Sequence, residues 1–176
     1  MNSSLASSGF PIHSVFIHGE TTVNLDPTAF VADQDLIEAL ERQSTPISCG
    51  EELVLFKQGD EPVGLYVLKS GAVTLTMNSP SGKELITIQA AGGSLLGLPG
   101  LIGNEPYTLS ATAHTGAQLS FLSRDSFAGL MSTDSFLALK VLKVLAAEVR
   151  SARSAILQQS AQRPKRRSRL TAARRA

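Results

Sequence analysis

The middle of the chain, residues 46–122, consists of short runs in which apolar and polar side chains alternate. In AVTLTMN (72–78), Val73, Leu75 and Met77 fall on one face of an extended chain, and two threonines fall on the other. Similar runs bounded by Gly, Pro, Asn or Ser occupy residues 53–57, 64–69, 83–89, 107–114 and 117–122. Many short strands spaced by about ten residues are typical of an all-β sandwich or barrel.

Apolar residues at helical spacing flank this β region on both sides. Between residues 33 and 43 the pattern predicts a short helix, with its apolar positions at Leu36, Ile37 and Leu40. Asp33 or Asp35 can cap the first turn of this helix. The segment SRDSFAGLM (123–131) predicts a second short helix.

The longest predicted helix begins after an Asp134 N-cap, extends to about residue 160, and is stopped before Pro164. Its heptad positions are Leu142, Leu145, Val149, Ala152 and Ile156. Such a seam predicts packing against the same helix of a second copy, and hence a homodimer. Leu137, Val141 and Val144 lie on a neighbouring face that can pack on the β domain. The alternative is one broad amphipathic face that lies wholly on the body of the protein.

The composition is that of a globular protein with one domain. The 176 residues suffice for a single core, and 43% of them are apolar. No run of about eighteen apolar residues is present, so no membrane span is predicted. The N-terminus lacks a basic start and a long apolar stretch, so no secretory signal is predicted. The lone cysteine, Cys49, is expected in the core or at a strand edge, and it fits a reducing, cytoplasmic setting.

The basic residues are concentrated at the C-terminus. Residues 1–162 carry nine basic and fifteen acidic residues, a net charge of −6, whereas residues 163–176 contain seven basic residues and no acid. The candidates for nucleic-acid contact in this tail are Arg163, Lys165, Arg166, Arg167 and Arg169. Such a tail either binds phosphate backbones without sequence choice or remains a solvated, disordered end.

These patterns divide the chain into four parts. An extended or partly disordered arm is predicted over residues 1–32, and the β domain with its short helices over 33–131. The long helix follows over 132–160, and the basic, disordered tail over 161–176.

Several short motifs carry a family resemblance. They are FKQGD (56–60), Leu65-Tyr66-Val67 followed by Gly71, and the position of Gly97. With them, residues of about 45–155 resemble the cyclic-nucleotide-binding domain, and more narrowly the sensor domain of the bacterial catabolite-activator and anaerobic-regulator superfamily. The resemblance implies a mainly β fold, a double-stranded, jelly-roll-like β-roll with flanking helices and a long C-terminal helix. It also implies a role in signal transduction or transcriptional regulation, and no enzymatic activity.

The phosphate-binding cassette of that family falls on SLLGLPGLIGNEPYTLSATA (94–113). By the resemblance, its aromatic residue is replaced by Leu96, and its glycine is kept as Gly97. The acid that takes the ribose hydroxyl is replaced by Leu98, and the arginine that pairs with the cyclic phosphate is replaced by Tyr107. The candidate ligand-binding residues of this degenerate pocket are Leu96, Gly97, Leu98, Pro99, Tyr107 and Thr108. We expect either a site re-purposed for a neutral or apolar small effector other than cyclic AMP, or a pocket filled by its own side chains.

Catalytic, metal and cofactor sites are not predicted. No nucleophile–base constellation is visible, and His13 and His18 have no cysteine or carboxylate cluster beside them. The residues after 160 are too few for the winged helix-turn-helix of the family's transcription factors, so sequence-specific DNA reading by that route is not expected. Three functions stay open: a sensor module that signals through a partner, nucleic-acid association through the tail, and a ligand-free interaction module.

Overall fold

The computed structural model describes residues 23–162, and within them eight strands form two four-stranded antiparallel sheets. The strands are β1 Thr45–Ser48, β2 Leu53–Phe56, β3 Gly64–Ser70, β4 Val73–Asn78, β5 Glu84–Ala90, β6 Leu95–Leu96, β7 Ser110–Ala113 and β8 Gln118–Ser123. The helices are a 3-10 turn Pro27–Phe30, α1 Gln34–Glu41, α2 Leu98–Gly103, α3 Arg124–Thr133 and α4 Ser135–Gln162. The strand orders are β1-β8-β3-β6 in one sheet and β2-β7-β4-β5 in the other.

This arrangement confirms the predicted β-roll with flanking helices and a long C-terminal helix. One prediction about a strand was wrong at its start: residues 107–109 lie outside β7, which begins only at Ser110. The chain leaves the sheet there because the ring of Tyr107 turns into the interior, where it is buried. The sequence pattern also missed β6, which has only two residues and therefore shows no periodicity.

The apolar side chains form two cores on either side of β3. Leu68 faces the other sheet and joins the core between the sheets. Leu65 and Val67 point the opposite way and join a second core, which packs against α1, α3 and α4. Because both faces of β3 are buried, its sequence reads as an almost continuous apolar run rather than a clean alternation. The second core is what holds the helices on the sheet.

The helix α1 is fixed at its first turn by the predicted cap. A carboxylate oxygen of Asp33 accepts a hydrogen bond from the backbone N–H of Leu36 at 2.9 Å, so Asp33 rather than Asp35 is the N-cap. The Lys140 ammonium on α4 reaches both carboxylates, at 2.9 Å from Asp33 and 2.8 Å from Asp35. The hydrogen bond from Lys140 holds the pKa of Asp33 below its usual value. A buried cation thus joins α4 to the start of α1.

The segment 23–32 is not an extended arm of the kind predicted. It forms the 3-10 turn, in which Ala29 and Phe30 are buried, and the backbone N–H of Asp26 donates to Ser151 Oγ of α4 at 2.7 Å. The segment packs because two apolar side chains in a short polar stretch suffice to dock it, even without a repeating pattern. Residues 1–22 of the predicted arm lie outside the described residues.

The helix α4 is capped as the sequence predicted, and its predicted division into two faces holds except at Leu145, a seam position that is partly buried and packs against the second core. Asp134 accepts from the backbone N–H groups of Phe136 and Leu137 at 3.0 and 3.1 Å. The face that packs on the body consists of the buried residues Leu137, Val141 and Val144. The heptad seam, by contrast, includes Leu142, Val149 and Ile156, which are 54%, 48% and 59% exposed. The alternative of one face lying wholly on the body is therefore wrong for these three positions.

Between residues 23 and 162, none of the helices has both the length and the hydropathy needed to span a membrane.

Candidate functional site

The candidate site begins at a glycine that no other residue replaces easily. Gly97 precedes α2 with a φ of 90°, a left-handed conformation that glycine adopts without a steric cost. A Cβ atom at this position would lie 2.8 Å from Tyr107 Cε1. The backbone C=O of Gly97 accepts from the N–H of Leu101 at 3.2 Å and so starts the helix. Gly97 is thus required by its backbone conformation and by the ring that packs against it.

Tyr107, the residue that the sequence resemblance places at the family's arginine position, is held from three sides. Its backbone N–H donates to the C=O of Asp60 at 2.9 Å, and its C=O accepts from the N–H of Gly59 at 2.8 Å. Its ring stacks on Phe56 with the ring centroids 4.1 Å apart. Its hydroxyl donates to the C=O of Gly64 at 2.8 Å. Burial raises the pKa of Tyr107 above its ordinary value, so its hydroxyl is a neutral hydrogen-bonding group.

A cavity of about 40 Å³ lies between these residues, at the junction of both sheets, α2, α4 and the N-terminal turn. Its lining residues are Phe30, Phe56, Leu75, Leu95, Leu96, Gly97, Pro99, Gly100, Tyr107, Thr108, Leu109 and Glu148. The lining contains no lysine or arginine, and its titratable side chains are Tyr107 and Glu148. As it stands, the cavity is apolar with one phenol and one carboxyl, a chemistry that does not suit an anion.

Five of the six candidate residues from the sequence line this cavity: Leu96, Gly97, Pro99, Tyr107 and Thr108. The sixth, Leu98, does not line it. Leu98 is fully buried in the second core, among residues of α1, α3 and α4. The left-handed turn at Gly97 starts a helix, and successive side chains on a helix point in different directions. Leu98, which the resemblance aligns with the family's acid, therefore contributes to helix packing rather than to the wall of the cavity.

Glu148 is the functional candidate that the sequence analysis missed. It lies in the middle of α4, its Oε1 atom is buried, and that atom has no hydrogen-bond partner in the part of the chain that the structure describes. Burial raises the pKa of Glu148 from its usual 4.5 to about 8. One signal could have identified it, since Glu148 is the sole acid between residues 135 and 162 and has Ala146, Ala147 and Val149 beside it.

Two arginines outside the cassette could in principle replace the missing one, and neither lines the cavity. The Arg124 guanidinium contacts Asn104 Oδ1 and donates to the C=O of Pro62 at 3.4 Å. Arg150 lines a separate polar groove between α4 and the N-terminal turn. Among the described residues, neither arginine therefore supplies a cation to the lining of the cavity.

The metal-ligating and cysteine residues that the structure describes add no second site. Within residues 23–162, no group of three or more His, Cys, Asp or Glu side chains is arranged to hold a metal ion. Cys49 is a buried free cysteine, as predicted. The tail candidates Arg163, Lys165, Arg166, Arg167 and Arg169, like His13 and His18, lie outside the described residues.

Comparison with known sequences agrees with the geometry of the fold. Residues 46–134, just over half of the chain, match the family described as the cyclic nucleotide-binding domain. The CRP-like cAMP-activated global transcriptional regulator of Mycobacterium tuberculosis is 25% identical over 114 residues, which cover 65% of this chain and 51% of that protein. The transcriptional activator protein Anr of Pseudomonas protegens is 35% identical over 81 residues, which cover 46% of this chain and 32% of that protein. The chain spans about half the length of the first of these relatives, and less of the second.

Solved structures give the same fold. The catabolite activator protein of Thermus thermophilus superposes with a TM-score of 0.63 at 23% identity, covering 77% of this chain and 63% of that one. The N-terminal domain of a transcriptional regulator from Streptomyces coelicolor A3(2) has a TM-score of 0.54 at 25% identity, covering 74% of this chain and 90% of that one. The family and these relatives are regulatory proteins, not enzymes.

Proposed function

We propose, because this chain belongs to the cyclic nucleotide-binding domain family and is homologous to CRP/FNR-type transcription regulators, that it is a regulatory module whose cyclic-phosphate contacts are lost. The observation that carries the proposal is the side chain at the arginine position. Tyr107 is buried, neutral and bonded to the Gly64 backbone, and no cation lines the cavity around it.

Losing the arginine would lower the affinity for a phosphate enough to decide which ligands can bind. An arginine opposite a phosphate makes two charge-assisted hydrogen bonds in a fixed fork. Removing one partner of such a buried pair costs about 2–5 kcal/mol. At about 1.4 kcal/mol per tenfold, binding weakens by about 30-fold to several thousandfold. By the resemblance, the carboxylate that takes the ribose hydroxyl is lost as well, and a hydrogen bond to a charged group contributes about 1.5–3 kcal/mol, so a micromolar site for a cyclic nucleotide would become about millimolar or weaker.

The small volume of the cavity also disfavours binding of a cyclic nucleotide. Binding pockets for ligands of nucleotide size have volumes of about 300–1,000 Å³, whereas this cavity measures about 40 Å³. The stacked rings of Phe56 and Tyr107 occupy space beside Gly97 that a larger ligand would need. A cyclic nucleotide would have to displace buried, hydrogen-bonded side chains in addition to lacking its phosphate partner.

The position of α4 suggests how the module transmits a signal. The helix supplies Glu148 to the cavity, packs on the body through Leu137, Val141 and Val144, and presents exposed apolar residues on its seam. A change of packing at the cavity can therefore alter how α4 lies on the β-roll. We expect the output to be a homodimer formed through the seam and a partner that reads its arrangement, in a cytoplasmic setting.

A ligand-free interaction module is the second candidate, and the small volume of the cavity favours it. In that case the β-roll or the α4 seam docks a partner, and the cavity is only residual space in the packing. Nucleic-acid association through residues 163–176 is the remaining possibility. Deleting these residues should then abolish a salt-sensitive gel shift of the full chain.

Calorimetric titration of the full chain with cyclic AMP and with cyclic GMP tests the leading proposal. The expected result is no binding tighter than about millimolar for either nucleotide. Micromolar affinity for either one would show that the phosphate contacts are present after all. The Tyr107→Phe variant is a useful companion, since removing a neutral hydroxyl should leave the weak response unchanged.

A further inference from the structure

We infer that the cavity beside Tyr107 is a binding site for a small cationic N–H donor, such as an amidinium or ammonium group, with the Glu148 carboxylate as its partner. This inference rests on the proposed function, because it assumes that no phosphate binds in the same recess. It assigns a ligand class that is opposite in charge to the phosphate of a cyclic nucleotide.

The geometry of Glu148 carries the inference. Glu148 extends from α4 into a cavity whose other walls come from both sheets, α2 and the N-terminal turn. Its Oε1 atom is buried and, among residues 23–162, accepts no hydrogen bond. Leaving a buried polar atom without a partner costs about 1–3 kcal/mol, and more for a charged group, so such atoms are rare in folded proteins. An unsatisfied acceptor on a residue that lines a cavity favours a ligand that brings a hydrogen-bond donor to it and shifts the surrounding side chains slightly.

The walls around this carboxyl define the rest of the ligand. Phe30, Leu75 and Leu109 are apolar, while the stacked Phe56 and Tyr107 present aromatic rings to the same space. A planar cation with N–H groups suits both surfaces, because it forms a bidentate bond with a carboxylate and lies favourably against aromatic rings. An anion would be repelled by the carboxylate once Glu148 is ionised, and it would find no lysine or arginine in the lining to pair with.

The volume limits what enters without rearrangement. A water molecule needs about 10–15 Å³ of such space, so a cavity of about 40 Å³ holds about three water-sized groups. That is close to the head group of an amidinium or a methylammonium. A larger ligand would place its head group here and would move the Tyr107 ring or α4 to accommodate its remainder. Because Glu148 belongs to α4, binding of a cation acts directly on the helix that carries the exposed seam.

Three probes of nearly equal shape separate charge from size: acetamidinium, acetamide and acetate. We would titrate the full chain with each at constant ionic strength and follow the backbone amide resonances of Gly97, Gly100 and Thr108 by NMR. A hydrogen bond to a charged group predicts that acetamidinium binds about 10- to 100-fold more tightly than acetate. Acetamide should fall between the two, because it donates N–H groups but carries no charge.

The pH dependence gives a second readout. Glu148 must release its proton to pair with a cation, so acetamidinium should bind more tightly at about pH 8 than at about pH 6. Tyr107 is the other titratable group that lines the cavity, and its raised pKa keeps it neutral throughout this range. Val144 and Ala152, one helical turn away on α4, carry no charge. Acetamide binding should be insensitive to pH over the same interval.

Glu148→Gln is the decisive variant, because it keeps the shape of the side chain and removes its charge. The preference for acetamidinium over acetamide should disappear in it, whereas Glu51→Gln, at an exposed carboxyl between β1 and β2, should leave the preference unchanged. Equal binding of acetate and acetamidinium, an acetamidinium response unaffected by Glu148→Gln, or no response to any probe would each overturn the inference. Cyclic AMP in a parallel titration distinguishes the failures, since only its micromolar binding contradicts the proposed function itself.

Discussion

The Tyr107 ring lies stacked on the Phe56 ring, with centroids 4.1 Å apart and an angle of 26° between the ring planes. The same tyrosine donates its hydroxyl hydrogen to the backbone of Gly64 at the start of β3. These two contacts join β2, β3 and the segment between α2 and β7 at one point. The residue that the resemblance aligns with a ligand-binding arginine is thus part of the core.

Removing the Tyr107 hydroxyl tests its structural role. Tyr107→Phe keeps the stacked ring but loses the hydrogen bond to the Gly64 C=O, so we expect a loss of about 0.5–1.5 kcal/mol in the free energy of unfolding. Urea denaturation measures this difference. Tyr66→Phe is the matched control, because the Tyr66 hydroxyl makes a longer bond of 3.2 Å to Leu55 and is less buried. A loss at Tyr66 that equals or exceeds the loss at Tyr107 would contradict the assignment.

Gly97→Ala should destabilise the protein through both its backbone and its new methyl group. A non-glycine residue at a φ of 90° is strained by about 1–3 kcal/mol, and the Cβ would lie 2.8 Å from the Tyr107 ring. Gly50→Ala is the control, since its Cβ would meet nothing within 4 Å and its φ is not positive. We expect Gly50→Ala to change the free energy of unfolding by less than about 0.5 kcal/mol. Equal effects of the two substitutions would exclude the packing described for Gly97.

The raised pKa of Glu148 makes the stability of the protein decrease as the pH rises. Its pKa is about 8 in the folded chain and near its ordinary 4.5 in the unfolded chain. Below about pH 4.5 the carboxyl is neutral in both states, and its contribution to stability is fully present. Between the two pKa values only the unfolded chain loses the proton, so this contribution is lost as the pH rises to about 8.

Glu148→Gln removes this dependence. We expect the free energy of unfolding of the variant to exceed that of the wild-type protein by an amount that grows from about pH 5 to about pH 8, up to a few kcal/mol. Urea denaturation across this range measures the difference, and Glu51→Gln serves as the control with no such trend. A difference between Glu148→Gln and wild type that stays constant with pH would mean that Glu148 is not held as a neutral, buried acid.

The exposed seam of α4 predicts the oligomeric state. Leu142→Glu and Val149→Glu place a charge in the proposed helix–helix contact, so each should convert a homodimer into a monomer, as measured by sedimentation velocity or light scattering. Leu157→Glu is a matched control, because Leu157 is an exposed apolar residue of α4 outside the heptad positions. A wild-type protein that is monomeric at every accessible concentration would contradict the dimer.

Local signals in the sequence were sufficient for α1, α3 and α4, whereas the 3-10 turn Pro27–Phe30 was not predicted. Asp33 and Asp134 lie immediately before apolar residues at helical spacing, and both carboxylates cap the predicted helices. The alternation of β4 likewise predicted its buried face, because Val73 and Leu75 meet one core and the intervening threonine does not. In each case the signal and its structural effect lie within a few residues of each other.

The residues of the candidate site were predicted through the family resemblance, and the packing of their side chains was not. Gly97 was identified in this way and its left-handed conformation suits a glycine, but the direction of the Leu98 side chain depends on α1, α3 and α4, which are remote in the sequence. Tyr107 was assigned to a strand because its neighbours alternate, whereas its ring is turned inward by contacts with Phe56 and Gly64. Glu148 joins the cavity only when α4 folds back onto the β-roll, about 40 residues after Tyr107. These contacts depend on tertiary packing and leave little trace in the periodicity.

The central claim, that Tyr107 has replaced the cation that holds a cyclic phosphate, is tested most directly by an NMR titration with cyclic AMP. The backbone amides of Gly97, Gly100 and Thr108 report on the recess itself, so binding elsewhere on the surface is recognised as such. The account predicts that these resonances show no saturable shift below about millimolar cyclic AMP. Shifts at these three amides that saturate in the micromolar range would contradict it.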